Sequence, residues 1–347
     1  MSLQRSAAAF GFLFAFASAS AWAAIPAVER LVLTDLYTRT NGAGWTNNSG
    51  WNGPAGTECT WAGITCDGAS THVTRIDMPV NNMVGTLNAI SNFTQLTYFD
   101  VAGNTLSGPL PSLSGLTSLQ KIYLHNNQFT GSIPSLSGLV ALQQFYVVSN
   151  QLTGPIPSLS GLTSLDSFEV DNNQLTGPLP SLNGLTALRD FGASNNLLTG
   201  SIPPLAGLTN LTGFNVSLNL LSGSIPPLPN SLTSFLTIGD GLSGPLPDLS
   251  GLTSLVYFWV SHNQLSGTVP DLSNLHALVS LEIDDNRFSG ILPNPPNPTA
   301  LTAQSAILCP NGFQHVDNTT WDMFSGVTPW WKDCATTPVT LQEFGVD

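Results

Sequence analysis

Apolar positions along residues 73 to 300 recur in a register that neither a helix nor an ordinary strand explains alone. In LQKIYLHNNQFTGSIPSLSGLVA, beginning at Leu119, the pattern L-x-x-[LF]-x-[LVI] puts apolar side chains on one face of a short extended segment, with Lys121 and Tyr123 facing the other way. A polar bend with two Asn residues follows, then a Gly, a Pro and a second apolar set. The same order begins at Leu96, Leu119, Leu142, Leu165 and Leu188, each 23 residues after the last. A shorter unit starts at Leu211, full units resume at Leu232, Leu255 and Leu278, and a degenerate first unit opens at Val73. This self-similarity predicts about ten stacked coils ending near Ala300, each supplying one strand.

The columns of the register have separate physical meanings. One holds Asn81, Asn104, Asn127, Asn150, Asn173, Asn196, Asn219, Asp240, Asn263 and Asn286. A buried carboxamide can donate and accept, so a column of them is expected to form an internal ladder that satisfies backbone groups where each coil bends. The glycine column permits tight or positive-φ turns, and the proline column from Pro111 to Pro293 holds an extended backbone on the far side.

The quoted units resemble the plant-type leucine-rich repeat, x-L-x-x-L-x-L-x-x-N-x-L-x-G-x-I-P, in a bacterial-like 23-residue version. The resemblance implies an α/β repeat solenoid: a right-handed horseshoe with a parallel sheet on its concave face and 3₁₀ or extended segments on the convex side. It further implies exposed recognition residues on the concave strands. A solenoid must also close its two ends. Residues 24–72, with a helical segment, tryptophans and C-x6-C, resemble the N-terminal cap of such proteins; residues 73–300 form the repeats, and residues 301–347 a C-terminal cap and tail. Four cysteines allow three pairings. With the caps about 45 Å apart at roughly 4.8 Å per coil, only Cys59–Cys66 and Cys309–Cys334 lie within disulfide reach.

Composition bears on function more than on fold. Charged residues make up 8% of the chain and the net charge is −13, which argues against a nucleic-acid partner or an anionic membrane surface. Residues 1–23 carry Arg5, a short apolar run and Ala21-Trp22-Ala23, the pattern of a cleaved secretory leader. No later run is long enough to insert in a membrane, and the residue directly after the cleavage site is Ala24, not the cysteine of a lipid-anchored protein. The expectation is a secreted or periplasmic protein, an oxidising setting in which both cap disulfides form.

The five histidines lack metal-ligand spacing and no nucleophile or phosphate-binding motif occurs, so neither an enzyme nor a cofactor is expected. The carboxylates Glu169, Asp171 and Asp190, and again Glu282, Asp284 and Asp285, read as solvated surface acids. The candidate ligand-binding residues are the outward aromatic and cationic side chains Tyr98, Lys121, Tyr123, His125 and Tyr146, with Tyr257 and Trp259 further along. Rigid aromatic side chains bury much area at small entropic cost. A protein or glycan partner on the concave face is the leading expectation. Two alternatives accompany it. One is binding of ice or a polymer surface through the column Thr130, Thr153, Thr176 and Thr199, continued by Ser222, Ser243, Ser266 and Ser289. The other is inhibition of a secreted pectinase, implied by a similar size to polygalacturonase-inhibiting proteins.

Overall fold

A computed structural model describes residues 24–87 and 89–332; the leader segment and Cys334 fall outside them. Each repeat forms one turn of a solenoid, and each turn contributes a strand to two separate sheets. The concave sheet has twelve strands, running in chain order from Ile64–Cys66 to Ala306–Ile307. Its first pair is antiparallel and the rest are parallel. The middle residue of each three-residue strand points inward. From Phe145 to Phe258 these residues are phenylalanines, whose rings stack with centroids 5.3 to 5.9 Å apart. The sequence preference for Phe at this position is thus a continuous aromatic column, which offset stacking stabilises beyond simple burial.

The bend after each strand has one recurring solution. The residue before the ladder position adopts positive φ, as at Asn126 (54°), Asn172 (54°) and Asn195 (50°). This turns the chain away from the sheet and strands backbone groups without a ladder partner. The next side chain satisfies them. Asn150 Oδ1 accepts from Phe129 N at 3.0 Å, while its Nδ2 donates to the carbonyls of Leu124 and Val147, each at 3.0 Å. Asn127, Asn173, Asn196, Asn219, Asn263 and Asn286 repeat the arrangement. At the N-terminal end Asn104 serves Asn81 and Met83, and Asn81 ties the cap through Asn47. Asn311 adds a further rung beyond the repeats marked by the sequence, accepting from Phe288 N at 3.0 Å and donating to Ile283 and Leu308.

The extended convex-side segments are more regular than the sequence implies. They pair into a second parallel sheet of eleven strands, from Val84–Thr86 to Gly312–Phe313. The two sheets differ in register. Lys121 lies beside Gln144 in the concave sheet, one full repeat on, whereas Thr130 lies beside Gln151 in the second. The concave strands therefore stack without stagger, and equivalent positions form straight rows. The second sheet slips by two residues per coil.

The N-terminal cap closes the first edge. The helix Ala27–Arg39 buries Val32, Leu33, Leu36 and Glu29. Glu29 accepts from the backbone N–H of Val73 at 2.8 Å and contacts His72 Nδ1 at 2.7 Å, which pins the helix to the first coil. Tyr37, Trp45, Trp51 and Trp61 pack as one aromatic cluster, and the Cys59–Cys66 disulfide spans 5.5 Å between Cα atoms.

One rung of the ladder is chemically different. Asp240 accepts from Asn219 N at 3.1 Å and Leu221 N at 3.3 Å, but as a carboxylate it cannot donate, and its Oδ2 has no partner. Burial pushes its pKa up to about 7. Because the folded value lies above the ordinary 3.8, the contribution of Asp240 to stability is full below about 3.8 and is lost as pH rises through about 7. Asp240→Asn should add about 1 kcal/mol at pH 8 and nearly nothing at pH 4, whereas Asn173→Ala should cost about 3 kcal/mol at either pH. Thermal unfolding of both variants at the two pH values checks this.

Candidate binding surface

Because the concave strands stack in register, their outward residues form rows that cross the whole sheet. The central row runs Asp77, Asp100, Tyr123, Tyr146, Glu169, Gly192, Asn215, Leu236, Trp259, Glu282 and Ile307. An adjacent row runs Arg75, Tyr98, Lys121, Gln144, Ser167, Asp190, Gly213, Ser234, Tyr257 and Ser280. Three zones of different chemistry follow from these orders.

The first zone is an aromatic ridge. The rings of Tyr98 and Tyr123 meet edge to face at 5.5 Å, Tyr123 and Tyr146 lie 5.1 Å apart, and His125 sits 6.3 Å from Tyr123. The Arg75 guanidinium lies 3.3 Å from the Tyr98 ring centroid and bonds Asp77 at 2.6 Å. Tyr98 donates to Asp100 at 3.0 Å; burial and that neighbouring carboxylate push its pKa to about 12. Tyr123 donates to Gln144, and burial raises its pKa as well. These contacts fix the rings in place before any ligand arrives. Lys121, half-buried beside them, forms no ion pair with another described residue.

The second zone is a notch. Gly192 and Gly213 leave two adjacent positions without side chains, and a Cβ on either would collide with Glu169 or Asp190. The result is a cavity of about 430 Å³, with Glu169, Asp171 and Asp190 on one side and Leu236 on the other. Asp190 is exposed, as expected of a surface acid, but Glu169 and Asp171 are half-buried, because their carboxylates lean into the space that Gly192 vacates. Burial, then the Asp171 carboxylate, raises the Glu169 pKa to about 8. Burial and Asp166 raise that of Asp190. Asp171 is held by Ser194, whose backbone N–H donates at 2.8 Å.

The third zone is apolar with an acidic edge. Tyr257, 41% exposed, meets Trp259 with centroids 5.7 Å apart, and Trp259 Nε1 donates to Ser280 at 3.0 Å. Glu282 and Asp284 lie beyond them, and burial raises both pKa values. His262 Nδ1 contacts Asp285 at 2.8 Å. The seven candidate residues therefore stand as two clusters, with Tyr146 and Trp259 separated along the central row by Glu169, Gly192, Asn215 and Leu236. Sequence reasoning named the acids but missed the notch; the signal was the pair Gly192 and Gly213 at positions that carry larger side chains in most other coils.

No group of three or more His, Cys, Asp or Glu among the described residues is arranged to hold a metal ion. None of the described helices is long and apolar enough to cross a membrane.

A capped, parallel-sheet solenoid with straight rows of outward side chains is a scaffold for display. Residues 118–139 match the leucine rich repeat family, and the chain is a leucine-rich-repeat protein. Among solved structures it is similar to the ectodomain of the Arabidopsis thaliana membrane receptor kinase GASSHO1/SCHENGEN3, solved in complex with CASPARIAN STRIP INTEGRITY FACTOR 2. The two share 30% identity with a TM-score of 0.75, over 82% of this chain and 36% of that one. A TDR receptor is 30% identical with a TM-score of 0.55, over 67% of this chain and 46% of that one. The chain thus spans less than half the length of either receptor structure. A plant ice-binding protein shares the fold at 21% identity and a TM-score of 0.63, over 84% of this chain and 98% of that one. No curated protein sequence matches.

Glu169 makes the surface sensitive to pH. Its folded pKa is raised from 4.5, so its contribution to stability is full below about 4.5 and is lost as pH rises through about 8. The melting temperature should fall between pH 5 and pH 9, and Glu169→Gln should flatten that fall without lowering the value at pH 5. A thermal melt series across this range reads both.

Proposed function

We propose that the chain is an exported recognition protein that binds a protein partner through its concave sheet. The observation that carries this reading is the pair of aromatic clusters, Tyr98–Tyr123–Tyr146 and Tyr257–Trp259, held outward on strands whose register and internal contacts leave them little freedom. Preorganised aromatic groups lose little entropy on binding. The complexed state of the GASSHO1/SCHENGEN3 ectodomain supports a protein ligand. The ridge itself favours a protein over a glycan, because sugar rings stack on open aromatic faces, whereas Arg75 covers Tyr98 and the tyrosines meet edge-on or tilted. Export is supported by the leader-like residues 1–23 and the cap disulfide. Inhibition of a secreted enzyme would be one form of this activity.

Ice or polymer binding would use the second sheet, where Thr130, Thr153, Thr176 and Thr199 are exposed. There the two-residue slip places Gln151 beside Thr130 and Leu220 beside Thr199, so the hydroxyls do not form one unbroken ladder across the coils. For that reason it ranks second, and purified protein is expected to show no thermal hysteresis on cooling.

The direct test is capture of partners from extracts and from a glycan array by the protein, beside a variant carrying Tyr123→Ala, Tyr146→Ala and Trp259→Ala. A protein partner should be retained by the wild type and weakened at least about 100-fold in the variant, at roughly 1 to 2 kcal/mol per anchor. Equal capture by both would move the site off the concave sheet.

A further inference from the structure

The rows across the concave sheet hold a second pattern, independent of the tyrosine ridge. From Glu169 the central row continues through Gly192 and Asn215 to Leu236 and Trp259, and meets acid again at Glu282, one coil before the row closes at Ile307. The order is acid, vacancy, amide, apolar, acid. At the first end, Asp190 reinforces Glu169 inside the notch, whose far wall is Leu236, so the acidic site opens directly onto the apolar stretch.

The apolar stretch is also maintained at a local cost. Leu218, at its border, has φ of +58° and is 55% exposed. Six of the equivalent bends use polar residues, Asn126, Ser149, Asn172, Asn195, His262 and Asp285, and two use Gly103 and Gly239; Val80, in the first coil, is the other apolar side chain held in this conformation. Leu218 lies against Gly239, next to Ile238, and so widens the apolar zone toward the sheet edge. A strained, exposed leucine where most other coils carry a polar residue is not explained by packing of the core.

We propose that this half of the concave sheet binds an extended segment of a partner protein with a basic side chain at each end and apolar side chains between. Charge complementarity identifies the occupant: the notch gathers three carboxyl groups, Glu169, Asp171 and Asp190, and stays anionic with the one proton that Glu169 keeps near neutral pH, while Glu282 and Asp284 stand at the other end of the apolar strip, without a lysine or arginine in either row between. Five strand spacings separate Glu169 from Glu282, about 24 Å, which an extended peptide spans in about seven residues. One basic side chain enters the notch, the centre covers Leu236 and Trp259, and the second basic side chain meets Glu282. The segment crosses the strands, so recognition is through side chains and not through addition of a strand. This assignment rests on the concave-face reading above and specifies its partner's chemistry.

The test uses synthetic peptides with lysines at positions one and seven around a Leu-Phe-Leu centre, titrated against the full chain by calorimetry. Controls replace both lysines by glutamate or bring them three positions apart. The lysine peptide should bind at least 10-fold more tightly than either control. Glu169→Gln with Asp190→Asn, and separately Glu282→Gln, should each weaken it at least 5-fold while the melting temperature at pH 5 is unchanged. Equal binding of the lysine and glutamate peptides, or unchanged binding by the neutralised variants, would overturn the assignment. Selection from an unbiased peptide library separates the two levels. Binders that need Tyr123, Tyr146 or Trp259 but lack the basic pair overturn this proposal alone, whereas a library without any concave-dependent binder overturns the parent reading too.

Discussion

The constraint on which the structure depends is the bend after each concave strand. A coil that turns at a positive-φ residue leaves a buried N–H and carbonyls that no neighbouring strand can reach, and unsatisfied groups of this kind cost about 1 to 3 kcal/mol each. The carboxamide ladder removes that cost, in every repeat but that of Asp240, with one side chain that both donates and accepts. Each ladder residue bonds to its own coil and to the one before, as Asn150 does through Val147 and Leu124. The ladder therefore fixes the spacing and rotation of successive coils as well as satisfying the bend. Asp240, which can only accept, shows what the rung requires by lacking half of it.

Straight stacking on one side has a direct functional consequence. With no stagger between concave strands, a side chain at a given position always has its equivalents as neighbours, and rows of chosen chemistry can be written along the solenoid. Tyr123 beside Tyr146 and Leu236 beside Trp259 are products of that register. The slip of the second sheet breaks such rows, which is why the threonine column of the sequence does not become a threonine ladder in space. In a chain with so few charges, the acids placed in the concave rows also act across short distances with little intervening countercharge. The Glu169 and Asp171 pair illustrates this, since the glycines that open the notch draw both carboxylates into partial burial and one of them keeps its proton near neutral pH.

Much of this was legible in the chain. The 23-residue period, the inward Leu and Phe positions and the asparagine column follow from hydrophobic spacing and hydrogen-bonding capacity alone. What was not legible depends on geometry between coils. Register in the second sheet depends on how far each coil shifts on its neighbour, which no single repeat encodes. The Asn311 rung was hidden because Ala306 occupies the position that Phe fills in most of the preceding coils. The notch was hidden for a related reason: Gly192 and Gly213 look like ordinary glycines until the rows place them side by side with Glu169 and Asp190 as neighbours. Candidate residues such as Tyr146 and Trp259 were visible as outward aromatics, but their division into two clusters required the strand order.

The central claim is that the concave rows, held in register by the ladder, are where a partner docks. Hydrogen exchange of backbone amides, measured by mass spectrometry with and without a captured partner, tests it most directly. The account predicts added protection in the concave strands Lys121–Tyr123, Gln144–Tyr146, Ser167–Glu169, Asp190–Gly192, Ser234–Leu236 and Tyr257–Trp259, with the second-sheet strands between them, such as Gln128–Gly131 and Gln174–Pro178, unchanged. Protection confined to the second sheet or to the caps would contradict it.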